Sequence, residues 1–197
     1  MILHLIRHAQ TFANEEGRYI GITDIPISEK GREKALRLAQ DKGVQIVFVS
    51  PLLRARQTAE ILFPDARQII VDGLREMDFG TFEGKNATEM RDDADYVKWV
   101  DEGALSACPG GEGFNDVSAR MADALMSIVK LATTEKLADV FVVTHGGSII
   151  ATMGRFSVAG ADPFAFGVDN CCGYRITIDE RTFFDNPVFG DIRTIGG

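Results

Sequence analysis

The strongest constraint on this chain is a repeated alternation of short apolar runs with longer amphipathic segments. The runs at residues 1–7, 45–49, 68–71 and 138–143 are rich in Ile, Val and Leu and show little polar alternation. Such runs are typical of parallel strands that are buried on both faces. The pattern therefore predicts an α/β protein, a three-layer α/β/α sandwich with helices on both faces of a mostly parallel sheet.

Helix signals fill the segments between these runs. Ser28 is a capping residue for a helix that ends before Gly43, and Ser50 with Pro51 forms a predicted N-cap and first turn for a helix over residues 52–63. Further helices are predicted over residues 86–102 and 114–132 and from residue 148, and residues 174–179 are predicted to add an antiparallel strand. Each crossover between parallel strands is thus supplied with a helix.

Length and charge limit the organisation and the partners of the chain. Residues 1–197 are predicted to form one domain, because 45% apolar content fills a single core and no repeat or linker divides the sequence. The formal net charge of −8 argues against nucleic-acid or membrane partners, which need clustered positive charge. No apolar run suits a membrane helix or a signal peptide. Three cysteines, two of them adjacent (Cys108, Cys171 and Cys172), fit neither a disulfide framework nor a zinc site, so a cytoplasmic location is expected.

Basic and histidine side chains gather where three predicted strands end. Arg7 and His8 end the first strand, Arg54 lies in the helix after the second, and His145 follows the fourth. The carboxyl ends of parallel strands meet at one edge of the sheet, where helix N-termini also present free N–H groups. Guanidinium groups are fork-shaped cations suited to phosphate. Each residue alone would more often be structural, but their combination predicts a phosphate pocket.

Competing motifs fit poorly. The Gly84-Lys85 pair lacks the first glycine and the hydroxyl residue of a P-loop, and no cysteine is followed six positions later by arginine. The three scattered histidines lack metal-ligand spacing. His4 lies in mid-strand and is predicted to be a packed or edge histidine without a chemical role. Neither a metal nor an organic cofactor is expected.

Four motifs together resemble the histidine phosphatase superfamily, the group that includes phosphoglycerate mutase. They are RHAQTFAN, SPLLRARQTA, LREMDFGTFEG and VVTHGG, in family order across residues 1 to 150. The resemblance implies a phosphoglycerate mutase-like fold and a metal-independent phosphatase. Ala9 stands where the family usually has glycine and Gln10 where it often has glutamate. Ala9 adds a side chain close to the nucleophile but leaves the core of the pocket intact.

The same resemblance assigns roles to individual residues. His8 corresponds to the nucleophile that becomes phosphohistidine, and Glu76 to the proton donor and acceptor. Arg7, Arg54 and His145 complete the implied catalytic set. The implied substrate-binding residues are Arg7, Thr11, Asn14, Gly21, Arg54, His145 and Gly146.

Phosphoryl transfer has physical requirements that these residue types meet. A neutral imidazole is a competent nucleophile at pH 7 when a carbonyl holds its second nitrogen. A leaving alkoxide needs a proton, so Glu76 must arrive protonated, a form that a dianionic substrate beside it favours. Glu83 in the same loop is an alternative acid, and motif position favours Glu76.

Residues 85–112 are predicted to form a helical cap over the site. This segment has no adjacent arginine pair like the one that mutases carry there, and its carboxylates include Glu89, Asp92, Asp93, Asp95, Asp101 and Glu102. It would repel polyanionic substrates, so hydrolysis of a phosphate monoester is favoured over phosphoglycerate mutase activity. The compact length and the GGEGF and CCGYRITID segments are similar to α-ribazole phosphatases, which makes α-ribazole 5′-phosphate one candidate substrate.

Several alternatives stay open at this point. A broad-specificity sugar phosphatase is one, and a catalytically weak phosphate-binding regulatory protein is another, although a pure binder has no need of an acid at Glu76. Tyr96, Trp99 and Phe114 could face an aromatic base, but their helical spacing is more often that of core residues. A homodimer is compatible with the sequence, which does not fix the oligomeric state.

Overall fold

A single mixed sheet organises the chain. The computed structural model describes residues 1–39, 43–157 and 160–196. The strands are β1 (Ile2–Arg7), β2 (Ile46–Val49), β3 (Arg67–Ile70), β4 (Asp139–Thr144), β5 (Gly173–Thr177) and β6 (Ile192–Ile195). Their order is β3-β2-β4-β1-β5-β6. Strands β1 to β4 pair in parallel, whereas β5 is antiparallel to β1 and to β6.

Six α-helices surround this sheet in the described part of the chain. They are α1 (Phe12–Glu15), α2 (Glu29–Leu38), α3 (Leu53–Leu62), α4 (Ala94–Asp101), α5 (Phe114–Thr134) and α6 (Gly146–Phe156). Ser28 caps α2, as predicted, because its hydroxyl accepts the Gly31 N–H. Residues 40–42 of that predicted helix lie outside the described residues. Within the described ranges, no helix combines the length and apolarity needed to cross a bilayer.

Alternating strand residues divide the core into two layers. Phe48 of β2 packs in an apolar cluster with residues of α5 and α6. Its neighbours Val47 and Val49 point the other way, into a second cluster with Ala35 of α2 and Ala59 of α3. This alternation follows from the period of two along a strand. The predicted three-layer α/β/α sandwich is confirmed.

Several helix boundaries differ from the prediction, among them the starts of α3 and α4. Ser50 is not the N-cap of α3, which is Leu52 and has no side-chain cap. The Ser50 hydroxyl instead forms a 2.7 Å hydrogen bond with Nε2 of His145. Helix α4 is also shorter than predicted, because it begins after Asp93, whose carboxylate caps its first turn. Strand β6 was not predicted, since a four-residue, partly exposed edge strand has a weak apolar signal.

Candidate active site

The ends of β1 and β4 bring two histidines together. Arg7 is paired in register with Thr144, so His8 and His145 follow on adjacent strands. Their ring centroids lie 5.1 Å apart, and both side chains are buried. Residues that are 137 positions apart in the sequence therefore meet at one edge of the sheet.

The ring of His8 is held in one tautomer. Its Nδ1 lies 2.7 Å from the carbonyl oxygen of Ala9. A carbonyl can only accept, so Nδ1 carries the proton and Nε2 keeps its lone pair. Burial, followed by the charges of Arg54 and Arg7, holds the pKa of His8 well below 6.5. A neutral imidazole with one unprotonated nitrogen is the form that can act as a nucleophile.

His145 is neutral for similar reasons. Burial is the largest cause that holds its pKa well below 6.5, and the charge of Arg54 adds to it. Its Nε2 is paired with Ser50, whereas its Nδ1 is buried and has no partner among the described residues. Buried polar nitrogens are nearly always paired in native proteins. This unpaired nitrogen is buried, and His145 adjoins His8 without lining the cavity that contains His8.

Arg7 presents a second unpaired nitrogen. One of its terminal nitrogens donates to the carbonyl of Val168 at 2.7 Å, while its buried Nε has no partner within the described ranges. A Cβ built on Gly146 would lie 3.4 Å from that Nε, so Gly146 packs directly against the guanidinium. The fixed guanidinium and the first turn of α6 together form an environment suited to an anion.

Arg54 is buried behind the pocket and is oriented by backbone carbonyls. Its guanidinium donates to Thr23 at 2.9 Å, to Gly21 at 2.7 Å and to Ile20 at 3.3 Å. Burial lowers its pKa, an effect that the Glu76 carboxylate opposes, and an arginine keeps its charge in proteins. The structure therefore uses the loop at residues 20–23 to fix a buried cation.

Glu83 holds that loop in place. Its carboxylate accepts hydrogen bonds from the backbone of Gly21 at 2.8 Å and Ile22 at 3.1 Å, and from the Thr23 hydroxyl at 2.6 Å. It also accepts the N–H of Phe79 at 3.2 Å. Glu83 is a structural acceptor and does not line the cavity that contains His8. The geometry thus disfavours it as the alternative acid.

Glu76 is the carboxyl group that lines the cavity of about 260 Å³ together with His8. Its oxygens accept the N–H groups of Met77 at 3.0 Å, Gly147 at 2.9 Å and Ser148 at 3.0 Å. Two of these donors belong to the first turn of α6, so the helix N-terminus fixes the carboxyl group in place. Glu76 is only 7% exposed.

The remaining predicted residues divide into two sets. Asn14 lines the cavity, and its side-chain oxygen accepts the N–H of Thr11 at 3.1 Å. Thr11 is buried and caps α1, and Gly21 contributes a carbonyl to Arg54. Neither Thr11 nor Gly21 lines the cavity, so both support its wall from behind.

Sequence reasoning missed four supporting residues. Ser50 contacts His145, and Ser148 contacts Glu76. Asn170 donates to the carbonyl of His8 at 3.0 Å. Arg120 donates to the carbonyls of Gly73, Arg75 and Glu76 and is paired with Glu112, which fixes the loop that carries Glu76. These four residues were missed because they are distant in sequence from the groups that they contact. Only Ser50 lies within one of the four motifs and could have been suspected from the sequence. Among the described residues, no group of three His, Cys, Asp or Glu side chains is placed to hold a metal ion.

A neutral imidazole beside fixed guanidinium groups, with a carboxyl group across the cavity, suits the transfer of a phosphoryl group. The fold and the site together define an α/β enzyme that acts on phosphate esters. The model of the histidine phosphatase superfamily (branch 1) matches residues 3–184, and the chain belongs to this superfamily. It is a phosphatase, as are the relatives named below.

The names of similar proteins refer to different substrates. The adenosylcobalamin/alpha-ribazole phosphatase of Escherichia coli (strain K12) is 31% identical over 190 residues, which are 92% of each chain. Phosphoserine phosphatase 1 of Hydrogenobacter thermophilus is 30% identical, over 91% of this chain and 87% of that one. The crystal structure of the alpha-ribazole phosphatase from Shigella flexneri gives a TM-score of 0.81 at 26% identity, over 100% of this chain and 96% of that chain.

Proposed function

We propose that the protein hydrolyses a phosphate monoester through a phosphohistidine formed on His8. The observation that carries this proposal is the 2.7 Å contact of Nδ1 with the Ala9 carbonyl, which leaves Nε2 unprotonated beside the cavity. The lowered pKa of the ring supports it, since no base is needed to remove a proton.

The reaction has two steps. Nε2 of His8 attacks phosphorus as the bond to the leaving oxygen breaks, and Glu76 gives that oxygen a proton. The Glu76 carboxylate then takes a proton from water, whose oxygen attacks phosphorus and breaks the P–N bond. Arg7, Arg54 and His145 stabilise the charge on the equatorial oxygens in both steps. Phosphate leaves and the imidazole returns to its starting state.

The proposed substrate is α-ribazole 5′-phosphate. Two relatives with this specificity in their names match more than nine tenths of the chain, which supports the proposal. Phosphoglycerate mutase activity is the less favoured alternative, because Arg18, the further cation at the cavity, is already paired with Glu16 and Glu89. A sugar phosphatase of broad specificity would accept the same phosphate pocket with a different leaving group.

Hydrolysis of p-nitrophenyl phosphate without added metal, between about pH 5 and pH 8, tests the mechanism. We expect His8→Ala to abolish release and His4→Ala to retain it. His4 is a matched control, because it lies in β1, the strand that ends just before His8, and stacks on Phe141 away from the cavity. Labelled substrate should leave acid-labile phosphate on the wild type and none on His8→Ala. Equal rates for wild type and His8→Ala would reject the mechanism, and an unlabelled, inactive wild type would favour the phosphate-binding alternative.

A panel of monoesters tests the substrate. It contains α-ribazole 5′-phosphate, O-phosphoserine and 3-phosphoglycerate, and kcat/KM is compared for each. We expect the highest value for α-ribazole 5′-phosphate. A higher value for either of the carboxylate-bearing esters would contradict this assignment while leaving the phosphohistidine mechanism in place.

A further inference from the structure

A second cavity adjoins the one that contains His8. It has a volume of about 440 Å³. The two cavities share wall residues, namely Tyr19, Phe79, Gly147 and Ile150. The N–H of Gly147 donates to Glu76 at 2.9 Å, so the shared wall lies beside the proposed proton donor. A leaving group that receives its proton from Glu76 would extend from this point into the second cavity.

The second cavity is lined by apolar and aromatic side chains. Helix α4 contributes Tyr96, Trp99 and Val100, which share one helix face at positions i, i+3 and i+4. Across from them lie Phe114 and Phe164, whose ring centroids are 6.0 Å apart. None of the described residues lining this cavity carries a charge. Tyr96 and Trp99 also belong to the main core cluster. These two residues are therefore core residues that also line the cavity.

The polar atoms on these aromatic rings already have partners. The indole N–H of Trp99 donates to the carbonyl of Ser106 at 3.0 Å. The hydroxyl groups of Tyr19 and Tyr96 lie 3.0 Å apart and bond to each other. A ligand in this cavity therefore finds ring faces and edges rather than unpaired donors. Such surfaces bind flat aromatic groups by stacking and edge contacts.

A charged leaving group would be bound poorly here. Placing a carboxylate in an apolar cavity without a partner costs its hydration. Arg18 is the cation near the entrance, and both of its ion pairs are to side chains of the protein, Glu16 and Glu89. The hydrogen bond to Glu89 raises the pKa of Arg18 above its ordinary value, as expected for an arginine that is already paired within the protein. The electrostatics thus select against carboxylates and second phosphates.

We infer that the second cavity holds the leaving group of the substrate, and that the part of this group bound there is an uncharged, flat aromatic ring. This inference rests on the proposed function, because it takes Glu76 as the proton donor and His8 as the nucleophile. It identifies Val100, on the exposed side of the cavity, as a residue that determines specificity.

Two matched esters test the inference. These are 2-phenylethyl phosphate and 2-(4-carboxyphenyl)ethyl phosphate, which differ by one carboxylate far from the bond that breaks. We expect kcat/KM of the wild type to be at least about tenfold lower for the carboxylated ester, mainly through KM. Similar values for the two esters would overturn the inference.

A pair of variants on α4 localises the effect. Val100→Glu places a carboxylate at the cavity, and Val97→Glu is the control on the same helix outside the cavity. Both valines are more than 40% exposed, so both variants should fold. We expect Val100→Glu to lower kcat/KM for 2-phenylethyl phosphate at least about tenfold and to leave inhibition by inorganic phosphate unchanged. Equal values for the two variants would contradict the inference.

Binding of the matching phosphonates separates this inference from the proposed function. In these analogues a CH₂ group replaces the bridging oxygen, so they bind without turnover. A calorimetric preference for the phenyl phosphonate, lost in Val100→Glu, would support the cavity assignment even if turnover proved independent of His8. Equal affinities for the phenyl and carboxyphenyl phosphonates would overturn the assignment even if the phosphohistidine mechanism held.

Discussion

Ala9 shows how one side chain next to His8 is accommodated. The sequence places a methyl group where the family usually has glycine, directly after the proposed nucleophile. That residue is fully buried and packs in the apolar cluster with α2 and α3, on the face of the sheet away from α6. Its N–H donates to the Thr58 hydroxyl at 2.8 Å, while its carbonyl holds His8. The extra methyl group therefore packs in the core and does not line the cavity that contains His8.

The two buried histidines predict an acid-sensitive stability. Their pKa values lie well below 6.5 in the folded protein, mainly because of burial. As the pH falls below 6.5, the unfolded chain binds protons on these rings before the folded chain does. The free energy of unfolding should therefore fall with decreasing pH in the window between 6.5 and the folded-state pKa values.

Urea unfolding at several pH values measures this effect. Each ring that remains neutral in the folded state contributes a slope of up to about 1.4 kcal/mol per pH unit. His145→Asn removes one such ring, so its slope below pH 6.5 should be smaller than that of the wild type. Identical slopes for the two proteins would mean that His145 is protonated in the folded state.

At the scale of single elements, the first turn of α6 links the helix to the chemistry. A Cβ built on Gly147 would lie 2.7 Å from Oε1 of Glu76, closer than van der Waals contact allows. The obstructing atom is the end of a side chain, so the carboxyl group would move while the backbone stays in place. Gly147 is thus required by the position of Glu76.

Gly147→Ala should separate stability from activity. We expect the free energy of unfolding to change by less than about 1 kcal/mol, because alanine is a good helix former. We expect kcat for 2-phenylethyl phosphate to fall at least about tenfold, since the displaced Glu76 protonates the leaving oxygen less well. The loss should be smaller for p-nitrophenyl phosphate, whose phenolate leaves without a proton. Equal losses on the two esters would contradict the role given to Glu76.

The elements were more predictable from sequence than the contacts between them. Apolar runs define β1, β2, β3 and β4 because strands buried on both faces need them. The motifs were sufficient to predict the site residues Arg7 and His8. The hydrogen bond of Ser50 with His145 was not predicted, because the two residues are 95 positions apart and the local sequence favours Ser50 as a helix cap. Neither the hydrogen bonds that Glu83 accepts nor the aromatic cavity could be predicted from the sequence. In both cases the residues that meet come from separate loops and helices, so the contacts exist only in the folded protein.

At the scale of the whole molecule, the sheet ties the site to the core. Phe48 lies in β2, is 1% exposed and packs in the cluster that also contains residues of α5 and α6. The site residues follow directly from the ends of the same sheet. We therefore expect the core and the site to unfold together.

Phe48→Ala tests this coupling. The cavity that it leaves should lower the free energy of unfolding by about 3–5 kcal/mol. Phe184→Ala is the control, since Phe184 is 42% exposed, and it should cost less than about 1 kcal/mol. Circular dichroism and phosphatase activity should be lost at the same urea concentration in each protein. Loss of activity well before loss of secondary structure would show that the site unfolds separately.

The position of Trp99 has a practical consequence. It is the single tryptophan of the chain, and its indole forms part of the wall of the aromatic cavity. Its emission therefore comes from one known place, and any molecule that stacks there should alter the intensity or wavelength of that light. The protein thus contains its own optical reporter, with which occupancy can be followed in real time without attaching a dye.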